Sequence, residues 1–222
     1  QHVGRVLRCR PGDPLVLFDG SGSEYPAVIE RVGRQMVEVR VGEATQPPVE
    51  SPLDLILGLV MSRGERMDWA IQKACELGVS EVCPLTSRHC EVRLDDDRAG
   101  RRVGHWQKVA ISASEQSGRT RVAKVRAVQG IEAWVASVAA DVLLVAHPGP
   151  PSDALRPAAG PRPARVALLV GPEGGLHEAE VDQARQRGFQ HFTLGPRILR
   201  TETAPMVALS LLQHVWGDLS SV

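Results

Sequence analysis

The sequence predicts an α/β protein with a mainly parallel sheet over residues 53–222, preceded by a small antiparallel β-barrel. Three observations carry this. Short runs with period-two alternation fill the first forty residues, whereas near-continuous apolar runs alternate with helical periodicities after residue 53. A proline-rich stretch separates the two textures. Near the end, two strand patterns each give way to a loop rich in glycine and proline just before a helix, the usual place for a ligand site in α/β proteins.

From Val3 to Val41 the pattern is strand-like, with Leu15–Phe18, Tyr25–Ile29 and Met36–Val41 separated by turns at Asp19–Ser23 and Gly33–Arg34. Over residues 1–46 six basic residues face six acidic ones, so packing alone could explain this module. Arg5, Arg8 and Arg10 nevertheless lie along one opening strand and form a candidate phosphate-contacting edge. The chain opens on Gln1 rather than Met, and a further segment upstream is expected. The domain boundaries read as 1–46 for the barrel, 47–52 for the linker with Pro47-Pro48, and 53–222 for the α/β domain.

Leu53–Met61 reads as a strand buried on both faces. Met67, Ala70, Ile71 and Ala74 then mark a helix that Gly78 would end. A strand over Val79–Leu85 precedes a helix over Arg98–Ser117 with its apolar stripe at Trp106, Val109, Ala110 and Ala113. Next come a strand at Ala123–Val128, a short helix from Ile131 to Val138, a buried strand at Asp141–His147 and a proline-rich loop. The strand Val166–Val170 leads into Gly171-Pro-Glu-Gly-Gly175, and Phe192–Leu194 leads into Gly195-Pro-Arg-Ile-Leu-Arg-Thr-Glu-Thr203. Ala204, Val207, Ala208, Leu211, Leu212 and Val215 define a last helix.

Formal net charge is zero, so nucleic acid could bind only through a local patch. One exists: residues 86–126 hold ten Lys or Arg against five Asp or Glu. Within it Arg119 and Arg121 follow a helix end, where cations also stabilise the helix dipole. The four cysteines make no C-x-x-C pair and the histidines no H-x-x-x-H pair, so no metal is expected and buried thiols in a reducing cytoplasm are. The longest apolar run is too short to span a bilayer. The glycine loops have neither the G-x-G-x-x-G spacing nor the Lys-Ser/Thr of a P-loop. With no lysine beyond Lys124, they suit an adenine or ribose held by backbone groups better than a triphosphate. Thr201 or Thr203 would cap the last helix, which leaves Arg200 unexplained.

Together, Leu-Val-Gly-Pro-Glu-Gly-Gly, Leu-Gly-Pro-Arg-Ile-Leu-Arg-Thr-Glu-Thr-Ala, Val-Met-Ser-Arg-Gly-Glu-Arg-Met and Glu-Gln-Ser-Gly-Arg resemble the RsmE family. These enzymes methylate N3 of a uridine in bacterial 16S ribosomal RNA. Arg-Pro-Gly-Asp at 10–13 and Leu-Phe-Asp-Gly at 17–20 extend the resemblance into the barrel. It implies a SPOUT-type trefoil-knotted domain, a PUA-like RNA-binding barrel that starts with a strand before Gln1, and a cytoplasmic homodimer acting on 16S rRNA or the small subunit. It also implies S-adenosyl-L-methionine as methyl donor. The first cofactor loop would use Leu169, Gly171, Pro172, Glu173, Gly174 and Gly175. The second would use Leu194, Gly195, Ile198, Leu199, Arg200, Thr203 and Ala204. Arg5, Arg8, Arg10, Arg63, Arg119 and Arg121 are the candidate RNA contacts.

Methylation at N3 requires loss of its proton and stabilisation of the uracil anion. Arg200 or Arg119 would do the second, and Glu115 or Glu202 would accept the proton. Two residues depart from the family pattern. His177 stands where Ser or Thr is usual, which should weaken the cap of the next helix, and Pro205 replaces a small residue. Two other readings stay open, a non-catalytic RNA-binding protein and a SPOUT enzyme that methylates a ribose 2′-hydroxyl.

Overall fold

Strands that are apolar on both faces become the middle of a sheet, and here they do. A computed structural model describes residues 9–34, 36–149 and 161–219. The chain divides into two compact units, residues 1–50 with 118–121, and 51–117 with 122–222.

In the first unit β1 (Pro14–Phe18), β2 (Glu24–Val32) and β3 (Val37–Val41) form an antiparallel sheet in that order. The Asp19 carboxylate accepts from the Ser21 N–H at 2.9 Å and fixes the first turn, and Gly33 N–H bonds the Met36 carbonyl at 2.9 Å in the second. A bulge lies between Ile29 and Arg31. Arg5 and Arg8 lie outside the described residues. Arg10 is exposed, and its N–H donates to Asp13.

Residues 118–121 had no place in the barrel read from sequence, yet they belong to this unit. Glu50 holds them. Its Oε2 accepts from Arg119 Nε at 3.0 Å and Nη2 at 2.8 Å. Its Oε1 accepts the N–H groups of Thr120 and Arg121 at 2.9 and 2.8 Å. Burial alone would raise the Glu50 pKa. The Arg119 fork and the two N–H groups outweigh it and hold the carboxyl below its usual value.

The second unit is a parallel sheet with strand order β10-β8-β9-β4-β5-β6. These strands are β4 (Asp54–Val60), β5 (Glu81–Thr86), β6 (Lys124–Val125), β8 (Val142–Ala146), β9 (Arg165–Val170) and β10 (Gln190–Phe192). The two central strands, β4 and β9, are buried along almost their whole length. The expected strand at Ala123–Val128 is instead two pieces, β6 and β7 (Gln129–Gly130), both on β5. Relative to β5 the chain carries one extra residue between them, which breaks the ladder.

Helices α1 (Arg66–Glu76), α2 (Asp96–Ser117), α3 (Ile131–Ser137), α4 (Glu178–Gln186) and α5 (Thr203–Trp216) complete the unit. Met67, Ala70, Ile71 and Ala74 are buried as their spacing predicts, and Gly78 ends α1 with φ +82°. Gly58 lets α3 approach β4, since a Cβ there would lie 2.5 Å from the Trp134 ring.

On α5 the buried stripe is Pro205, Ala208, Leu209, Leu212 and Gln213, so Val207, Leu211 and Val215 of the expected core face stand wholly or partly outside it. The helix is apolar on more than one side, so periodicity could not choose between faces. The choice is made by a polar residue: buried Gln213 donates to the Leu77 carbonyl at 2.9 Å and accepts from Ser51 Oγ at 2.7 Å.

Cys75, Cys83 and Cys90 are buried. Burial and the Glu81 carboxylate push the Cys83 thiol up to about 12, which makes it inert. Among the described residues no helix is long and apolar enough to cross a membrane, and no group of three or more His, Cys, Asp or Glu could hold a metal ion.

Candidate active site

β9 pairs with β8 on one side and β4 on the other, and the carboxyl ends of β8, β9 and β10 open into a cavity of about 380 Å³. This is where the strand-end rule puts ligands. Three segments and Arg66 wall it: Ala146–Pro148 from the end of β8, Val170–Leu176 from the end of β9, and Leu194–Ala204 from the β10–α5 connection into α5.

The β9 loop is shaped by its glycines. A Cβ on Gly171 would lie 2.9 Å from Leu176 Cγ, so backbone packs where a side chain would clash. Gly175, with φ +71°, closes a turn through its N–H to the Pro172 carbonyl at 2.9 Å. Gly174 packs on His89, whose Nδ1 lies 3.1 Å from the Gly175 carbonyl. Glu173 is tied to Arg66 Nη1 at 2.7 Å, across the cavity rim.

His177 does not weaken the following helix. Its Nδ1 accepts from the Ala179 N–H at 3.2 Å, and Glu180 Oε2 accepts the His177 N–H at 2.9 Å, completing a capping box. An imidazole acceptor thus replaces the expected hydroxyl. Glu180 is buried, and its Oε1 also accepts the Arg88 N–H at 2.8 Å. Replacing His177 by Ala should lower stability by about 1 kcal/mol in thermal unfolding, with Ser restoring most of it. Equal stability of the Ala variant would mean that the imidazole cap contributes nothing.

The second loop enters α5 differently from expectation. Neither Thr201 nor Thr203 occupies the cap position, which falls on Glu202 without a side-chain cap bond. Instead the Arg200 carbonyl accepts from the N–H groups of Thr203 and Ala204, both at 2.9 Å. Pro205 sits within the first turn, where its missing N–H is tolerated. Gly195 has φ +88°, and Ile198 is 90% exposed beside it.

Of the residues offered by sequence, Gly171, Pro172, Glu173, Gly175, Leu194, Gly195, Ile198, Leu199, Arg200, Glu202 and Ala204 line the cavity. Leu169 is buried in β9 and Gly174 stands behind the loop, while Thr203 lies in the first turn of α5; none of the three is a wall residue. Arg200 is exposed and, among the described residues, makes no ion pair. Thr201 Oγ donates to the Glu202 carboxylate at 3.3 Å.

Glu115 is exposed on α2 and is not among the lining residues. Arg119 is 7% exposed, with its guanidinium bound to Glu50. Arg121 is held through its N–H by the same carboxylate. Arg63 is exposed and paired with Glu91 at 3.0 Å.

Sequence reasoning missed Arg66 and His147, both of which line the cavity. His147 directly follows β8, and the strand-end rule applied to that strand would have found it. Burial, then His191 and Arg185, hold its pKa below the usual histidine value.

A cavity made of glycine turns and apolar side chains, with Arg197 and Arg200 both lining it and neither in an ion pair among the described residues, suits a purine nucleoside with a short polar extension. Residues 49–213 match the family of RNA methyltransferase domains, and residues 1–42 match the RNA methyltransferase PUA domain. The chain is 32% identical over 220 residues to the ribosomal RNA small subunit methyltransferase E of Buchnera aphidicola subsp. Schizaphis graminum, covering 99% of this chain and 89% of that protein. The chain belongs to the ribosomal RNA small subunit methyltransferase E family.

The Bacillus subtilis member is 31% identical, covering 96% of this chain and 86% of its own. Among solved structures, the Neisseria gonorrhoeae member bound to S-adenosyl methionine is 37% identical with a TM-score of 0.89, covering 98% of this chain and 90% of that one. A methyltransferase of Legionella pneumophila in complex with the same cofactor is 38% identical with a TM-score of 0.89, covering 99% and 90%. The α/β unit with its parallel sheet and the PUA module are thus the architecture of this methyltransferase family.

Proposed function

We propose that the protein transfers a methyl group from S-adenosyl-L-methionine to N3 of a uridine in bacterial 16S ribosomal RNA, in the cytoplasm. The observation that carries this reading is the cavity at the ends of β8, β9 and β10, walled by two glycine-shaped loops and carrying Arg197 and Arg200, neither in an ion pair among the described residues. Its place in a family whose members are named as methyltransferases of small-subunit ribosomal RNA supplies the RNA.

The backbone of Gly171–Gly175 and Leu194–Leu199 would hold the adenosyl group; Leu176 packs where a Gly171 side chain would stand, while the space beside Gly195 is open. The cofactor supplies an electrophilic methyl carbon on a sulfonium. Around it the protein has two tasks. Arg200 places a planar cation against a uracil carbonyl oxygen and stabilises the anion that N3 becomes. Glu202, on the same wall, would accept the N3 proton and so free the nitrogen lone pair for the methyl group that the cofactor would supply. Arg119 is a poorer candidate for the base contact than Arg200, because Glu50 already holds its guanidinium. Glu115, away from the cavity walls, is likewise the weaker acceptor.

The proposal includes the trefoil knot and the homodimer. The chain completes β4 and β8 before β9 enters between them, an order that a threaded C-terminal segment would give. Leu211 on α5 and Ile198 in the second loop are exposed apolar groups that a second copy could cover.

The deciding experiment treats small-subunit RNA with enzyme and S-adenosylmethionine, then analyses its nucleosides by mass spectrometry. 3-Methyluridine is expected. A 2′-O-methyl nucleoside would replace this reading with the ribose methyltransferase. No methylation despite cofactor and RNA binding would leave a non-catalytic RNA-binding protein.

A further inference from the structure

We propose that α2 carries a track for the RNA backbone leading away from the reaction cavity, an inference that rests on the RNA methyltransferase reading. Arg98, Arg101, Arg102 and His105 recur at i, i+3, i+4 and i+7, so they share one face of the helix, and Lys108 continues it. With Leu94, the first four line a hollow of about 400 Å³. A second hollow, of about 250 Å³, shares Leu94 and Arg102 and adds Arg63 and Arg93. Neither hollow has an acidic lining residue among the described residues.

Acidic neighbours hold three of these side chains in place: Glu91 on Arg63 at 3.0 Å, Asp95 on Arg98 at 3.3 Å and Asp68 on His105 at 2.6 Å. Arg93, Arg101 and Arg102 are exposed and, among the described residues, make no ion pair.

Helix stability does not account for this stripe. Like charges at i, i+3 and i+4 repel, costing a few tenths of a kcal/mol per pair. A protein of zero net charge that gathers them on one face gains from it when an anion binds there. The stripe from Arg98 to Lys108 runs about 15 Å along the helix. Arginine predominates, and its fork matches phosphate oxygens while its plane stacks on bases.

The track also connects with the chemistry. Arg63 lines the second hollow, and Arg66, three residues on, lines the reaction cavity and holds Glu173. The segment after β4 thus borders both, so a strand lying on α2 could deliver a flanking nucleotide to the cavity. An acidic protein segment would match the charge but has no reason to be led there.

The test uses the full chain with Arg101→Gln and Arg102→Gln combined, and transcribed small-subunit ribosomal RNA as probe. RNA affinity is measured across a salt series, cofactor affinity by calorimetry, and methylation at several RNA concentrations. Loss of two phosphate contacts should lower the log–log salt slope by about 1.4 and weaken binding about tenfold near physiological salt. KM for RNA should rise while kcat and cofactor affinity stay near wild type. Lys at both positions should preserve the slope, since it keeps the charge.

An unchanged slope in the Gln variant, with wild type still methylating RNA, overturns the track alone. Equal loss in the Lys variant also overturns it, by showing that shape rather than charge matters. Competition by polyglutamate that depends on these arginines, without any effect on RNA binding, would reassign the face to an acidic protein. A wild-type chain that methylates no RNA overturns the functional reading and the track with it.

Discussion

Replacing Arg200 by Ala should lower kcat by about 100- to 1,000-fold, the effect of removing one preorganised charge stabiliser, or about 2.7–4 kcal/mol. Cofactor affinity should change by no more than a few-fold. The separation follows from which atoms do what. Arg200 braces its loop through its carbonyl, which accepts two N–H groups from the start of α5, and truncating the side chain leaves both bonds in place. The guanidinium is exposed at the cavity and, among the described residues, has no carboxylate to neutralise it. Its charge is therefore available to a developing anion. Lys at this position should recover part of the rate, as it supplies charge without the planar fork. Single-turnover methylation with bound cofactor is the measurement. Turnover near wild type in the Ala variant would remove Arg200 from the chemistry.

The parts of this molecule legible in its sequence are those encoded in local pattern. β4 and β9 announced themselves as apolar runs, and α1 by its spacing and by Gly78, because burial on two faces or one face leaves a direct trace. Both cavity loops were legible for a similar reason, since turns at strand ends need glycine and proline.

What escaped depends on partners distant in sequence. Glu50 lay in what read as linker, and only the fold brings it to Arg119. The buried face of α5 is chosen by Gln213, whose partners are Leu77 and Ser51. Periodicity cannot register a polar residue as core. His177 was misjudged because its capping power depends on which ring nitrogen faces the helix. Strand pairing order leaves no local mark either, so the insertion of β9 between β4 and β8 could enter only through resemblance.

Glu50 yields the second large effect, on stability rather than rate. Glu50→Ala should destabilise the first unit by about 3 kcal/mol, because it leaves a buried guanidinium without its carboxylate and two N–H groups without an acceptor. The native contacts involved are the Arg119 fork and the Thr120 and Arg121 amides. Gln should cost less, since one carbonyl oxygen can still accept both amides. With two units in the chain, a single unfolding midpoint could hide the change, so amide exchange protection at Thr120 and Arg121 is the better probe.

The same contact sets a pH dependence. The folded pKa of Glu50 lies below its ordinary 4.5, so its contribution is complete above the unfolded value and is lost as pH falls through the folded one. Protection of both amides in the wild type should therefore hold from neutral pH down to about 4.5 and decline below it, while the Gln variant shows no such step. Protection that is the same in all three proteins, and flat with pH, would mean that the four hydrogen bonds to Glu50 do not hold residues 118–121 in place.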